Sequence, residues 1–79
     1  MMWIKTGKTV SSEGTTITYT ARERKNLTIE SRKRHIPHAA KGGTWDHTTY
    51  VVMIDGKDVK EIYTLRDAKA FAEGLMVDG

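Results

Sequence analysis

Residues 48–75 constrain this chain more than any other stretch, because they read as a β-hairpin running directly into a capped helix. Thr49-Tyr50-Val51-Val52-Met53-Ile54 is dense in β-branched and aromatic side chains. Asp55-Gly56 then supplies a residue pair that accepts the positive φ of a tight hairpin turn, and residues 59–63 form the returning strand. Thr64 follows as a hydroxyl N-cap, with Asp67 as the acid of a short-armed capping box. The spacing predicts a helix from Leu65 to about Glu73. Leu65, Ala68, Ala72 and Leu75 share one stripe, flanked by Phe71, while Arg66, Lys69 and Glu73 lie away from it. Gly74 is placed to end the helix in the left-handed conformation. So short a helix is unstable in isolation, so a sheet must hold it.

Upstream, Thr16, Thr18 and Thr20 alternate with Ile17, Tyr19 and Ala21, the period of a half-buried strand. After the polar turn at residues 22–26, Leu27 and Ile29 resume the alternation against Thr28, Glu30 and Arg32. Ile36 then falls on the polar parity, which predicts a bulge near residues 32–34 or the end of the strand there. Pro37 cannot donate to a ladder, so it closes the strand or lies on an edge. Trp3 and Ile4 suggest a short opening strand, with the turn into Thr15 at residues 11–14. The expected class is α+β: an antiparallel meander of four strands, or five with the opening segment, packed against one C-terminal helix. Its predicted core is Ile17, Tyr19, Leu27, Ile29, Val52, Ile54, Leu65, Ala68, Phe71 and Ala72.

With 79 residues the chain makes a single domain, residues 1–79, since two would each be too small to bury a core. It has no cysteine, so neither disulfides nor thiolate metal sites reinforce it. The first five residues lack the apolar stretch of a signal peptide, and no apolar run approaches the ~20 residues needed to span a bilayer. The expectation is a cytoplasmic protein with no membrane partner.

The net charge of +3 is small but unevenly placed. Residues 22–41 carry seven Lys or Arg against two Glu, a balance of +5, whereas residues 42–79 carry four against seven acids, a balance of −3. A basic middle beside an acidic end points to a charged partner or to a solvated hairpin whose charges keep a sheet edge from aggregating.

Catalytic and metal chemistry find little purchase. Asp46 adjoins His47, but neighbours on a strand face opposite ways, so adjacency makes no dyad. His35 and His38, with His47 or Asp46, offer metal ligands without a helix to align the rings; the expectation is no metal and no cofactor. Gly42-Gly43 precedes a strand rather than a helix and reads as a turn, not a phosphate cradle. Trp3, Tyr19, Tyr50 and Tyr63 read as core or core-edge residues. Trp45, beside the glycines, either packs over the sheet edge or, as the aromatic most open to solvent, stacks on a base or anchors a partner.

The run Thr44-Trp45, Tyr50 to Lys57 and Ile62 to Glu73 resembles the sheet-and-helix ending of small phage and prophage domains. Among named families it is most similar to the AP2-like, arm-site-binding domain of tyrosine integrases. That resemblance implies a three-stranded sheet on one helix, the sheet lying in a DNA major groove. The resemblance spans residues 44–75, which here are net acidic, and the basic residues lie upstream of them.

Three functions follow in order. The first is a non-catalytic module binding DNA or RNA through the basic strand, using Arg24, Arg32, Lys33, Arg34, His35, Lys41 and Trp45. Such a ribbon is thin enough to enter a major groove. The second is an accessory factor binding a host protein through a strand edge or the basic face. The third is a small RNA-cleaving enzyme drawing on Arg32, Arg34, His35 and His38.

Overall fold

Five strands follow one another as β1 (Trp3–Ser11), β2 (Gly14–Ala21), β3 (Leu27–Pro37), β4 (Thr44–Ile54) and β5 (Lys57–Ile62), before the helix α1 (Leu65–Val77). The computed structural model describes residues 2–37 and 44–77. The strands form one sheet of order β1-β2-β3-β4-β5, each pair antiparallel. This is the α+β meander with its fifth strand present, and that strand is longer than Trp3-Ile4.

The local signals act as their chemistry requires. Asp55 (φ 55°) and Gly56 (φ 78°) both take positive φ in the β4–β5 turn. The Thr64 hydroxyl accepts the Asp67 N–H at 3.2 Å, and its carbonyl accepts the Ala68 N–H at 3.0 Å. Gly74 does not end the helix, which continues to Val77. Leu75 extends the apolar stripe onto the sheet, and this packing outweighs a glycine penalty of about 1 kcal/mol. Glu73 does not turn away from the body of the protein either: it accepts the Trp3 indole N–H at 3.4 Å.

Nor does β3 bulge or stop near Arg32–Arg34. It pairs with β4 without a shift from Leu27↔Ile54 to Pro37↔Thr44, so Ile36 does lie on the polar parity. The bulges fall instead on the two outer strands. Thr6 is the extra residue between Lys5↔Tyr19 and Gly7↔Thr18, and Val59 is extra between Lys60↔Val52 and Asp58↔Met53. Bulges with lysines on edge strands discourage pairing with another chain.

The core is Ala21, Leu27, Ile29, Val52, Ala68 and Ala72, with Trp3, Tyr19, Tyr50, Ile54, Ile62, Leu65, Phe71 and Leu75 packed around it. The two alanines let α1 approach β3, β4 and β5 closely. Ile17, expected in the core, is only half-buried, because α1 does not extend over β2 at that level. The molecule is therefore long, 49 × 20 × 19 Å, with β3 and β4 running past the helix.

Candidate functional site

Alternation along β3 divides its charges between two faces. Leu27 and Ile29 point at α1, so Ser31, Lys33 and His35 continue on that side. Arg32, Arg34 and Ile36 lie on the other face, with Thr28 and Glu30. The basic run is thus two half-sites, back to back.

On the helix side, Lys33 and His35 meet Asp46 of β4, which stands directly opposite His35. Lys33 Nζ lies 3.2 Å from one carboxylate oxygen and His35 Nδ1 lies 2.6 Å from the other. The hydrogen bond from His35, and then that from Lys33, holds the Asp46 carboxyl below its ordinary pKa. His47, the next residue, belongs to the opposite face, so His35, Asp46 and His47 do not converge. Among the described residues no cluster of three His, Cys, Asp or Glu side chains is placed to hold a metal.

On the open face Arg32 and Arg34 differ sharply. Arg32 Nε lies 2.6 Å from Glu30 Oε1, and its Nη2 lies 3.5 Å from Asp58 Oδ1. The bond to Glu30 holds the guanidinium pKa above its ordinary value. Since β4 separates β3 from β5, the Arg32–Asp58 bridge crosses it between Thr49 and Met53, over Val51. That accounts for Val51 being 2% exposed on a face with no helix. The Val59 bulge is what brings Asp58 to this face, because an unbulged β5 would have set Asp58 opposite Ile54 on the helix side.

Arg34 has no carboxylate partner among the described residues. Its Nη1 donates to Thr16 Oγ1 and to the Lys33 carbonyl, both at 3.3 Å, and its side chain stays exposed. Gly14 stands opposite Arg34 with φ 154°, and a Cβ there would run into the Lys33 carbonyl oxygen. Close backbone approach at Gly14 therefore sets Arg34 in place.

Arg34 also stands opposite His47, whose ring centroid lies 6.4 Å from that of Tyr63, tilted by 58°. Tyr63, expected at the core edge, is 67% exposed. It follows the inward-facing Ile62 and so points outward. Sequence reasoning missed this Arg34–His47–Tyr63 neighbourhood; strand register alone carries it.

The remaining expected site residues do not join these clusters. Arg24 sits in the β2–β3 turn, where its Nε donates to Asn26 Oδ1 at 3.1 Å. At about 3.3 Å per residue, Arg34 lies roughly 23 Å along β3 from Leu27, just after that turn. The Trp45 backbone pairs with Ile36; its side chain, like Lys41 and His38, lies outside the described residues. The described residues enclose no cavity, and none of their helices is long and apolar enough to cross a membrane.

Compared with protein-family models, with curated proteins and with solved structures, the chain matches none. The functional reading rests on the surface itself.

Proposed function

We propose that this protein is a nucleic-acid-binding module, contacting phosphates with the end of its sheet that extends beyond α1. The observation carrying this reading is Arg34, an exposed guanidinium with donors to spare and no carboxylate partner among the described residues. Lys8 of β1 adds an exposed cation to the other side of the same ribbon, where Lys33 is shared with Asp46. Arg32 is a weaker candidate than its charge suggests, because Glu30 and Asp58 already occupy it.

The alternatives find less support. Strand addition by a protein partner is opposed by the bulges at Thr6 and Val59 on the two edges. An RNA-cleaving set of Arg32, Arg34 and His35 is divided between the two faces, with His35 against Asp46.

Fluorescence anisotropy of labelled oligonucleotides at about 50 and 200 mM salt tests the proposal. Affinity should fall steeply with salt. Arg34→Ala should weaken binding and lower the log–log slope by about one unit, while Arg24→Ala at the far end changes both less. Failure to bind any nucleic acid at the lower salt overturns the reading.

A further inference from the structure

The open face carries, on successive strands and in contact from one to the next, the Thr16 hydroxyl, the Arg34 guanidinium, the His47 imidazole opposite it and the Tyr63 ring. Resting on the nucleic-acid reading above, we infer that this line is a single-stranded nucleic-acid site, with an unpaired base stacked on Tyr63 and an adjoining phosphate on Arg34.

Three observations converge on a single strand. Tyr63 is 67% exposed, although the other described Trp, Tyr and Phe side chains, Trp3, Tyr19, Tyr50 and Phe71, pack against the core. An exposed ring and, across His47, a guanidinium with no carboxylate partner among the described residues provide the two contacts a single strand needs: a π-surface for any base and a cation for the backbone. A duplex keeps its base faces stacked inside and has no use for the ring. The face is open and without a cavity among the described residues, which suits an extended strand lying across it rather than a free nucleotide that must be enclosed.

Neighbouring charges set the direction of the site. Glu61, two residues before Tyr63 on the same face, stands opposite Val51 and repels phosphate from the helix end of the sheet. Glu30 and Asp58 lie on that side too, held by Arg32. The strand therefore runs from Tyr63 over His47 towards Arg34, away from these acids. The His47 ring leans on Tyr63 and sets the angle of the stacking surface; it is a positioning residue.

The test titrates the full chain against one labelled oligomer as single-stranded RNA, as single-stranded DNA and as duplex, at low salt. Both single strands should bind about tenfold or more tightly than the duplex. Tyr63→Ala should weaken single-strand binding about tenfold, Tyr63→Phe should retain it, and duplex binding should move little in either. A preference between RNA and DNA identifies the natural source. Thermal melts of the variants should match the parent, since the ring is exposed. Equal or tighter binding of duplex, or single-strand affinity unaffected by Tyr63→Ala, overturns the site while leaving nucleic-acid binding intact. Binding to none of the three overturns the underlying proposal and this inference with it.

Discussion

Under α1, β3 and β4 contribute Leu27, Ile29 and Val52 to a core sealed by Ala68 and Ala72. Further along the same two strands, Lys33, His35 and Asp46 occupy the same face and are exposed. One half of the sheet is held by apolar burial, the other by ladder hydrogen bonds and side-chain pairs between neighbouring strands. The difference teaches where change is tolerated: the covered half supplies the stability, and the exposed half can carry chemistry at its surface with little cost to folding.

The largest expected effect tests that division directly. Ile29→Ala removes a fully buried side chain and should destabilise by about 2–5 kcal/mol. Ile17→Ala, beyond the helix and half-buried, should cost about 1 kcal/mol. Urea titrations of the two variants compare them, and equal losses would show that the two halves share one core after all.

Gly14→Ala comes next, because the exposed half depends on backbone proximity there. A Cβ against the Lys33 carbonyl, at a φ that L-residues rarely adopt, should cost about 2–4 kcal/mol. Hydrogen exchange should reveal the damage as local. Protection of the His35 amide, which donates to the Glu13 carbonyl at 2.9 Å, should fall while that of Ile29 persists. Uniform loss along β3 would mean that the sheet opens as one unit.

Arg32 and Arg34 bring the comparison down to two residues of one strand. Arg32→Ala removes the bridge to Asp58 and the cover over Val51, and should cost about 1 kcal/mol. Arg34→Ala should stay within about 0.5 kcal/mol of the parent. The binding effects should rank the other way in salt slope, where only Arg34 is expected to account for a full phosphate contact.

That pair also shows how much was legible in the sequence. The Asp55-Gly56 turn, the Thr64 cap and the Ala68–Ala72 stripe are local: each depends on residues a few positions apart, and each was readable. The placing of Arg32 on the face opposite Leu27 and Ile29 also follows from strand alternation. Which cation stays unpaired does not, because Asp58 reaches Arg32 only through the Val59 bulge, and no local pattern announces that bulge. Tyr63 and His47 meet only once β4 and β5 are in register. The helix end was misplaced because Gly74 is a local stop signal overruled by the packing of Leu75.

Asp46 gives the smallest and most specific test of the exposed half. The bonds from His35 and Lys33 hold its carboxyl below the ordinary value of 3.8. A carboxylate whose pKa is lower folded than unfolded stabilises the fold above its unfolded pKa, and that contribution is lost as pH falls through its folded pKa. Asp46→Asn should therefore leave a shallower decline in thermal stability below about pH 4 than the parent shows. Glu23, lowered by the Met2 backbone N–H at the other end of the molecule, supplies the control. Glu23→Gln should flatten the same acid limb without changing polyanion binding. Asp46→Asn should also tighten binding, since it removes a negative charge beside Lys33 and leaves that cation to the ligand. An Asp46→Asn variant with unaltered affinity would confine binding to the open face, around Arg34.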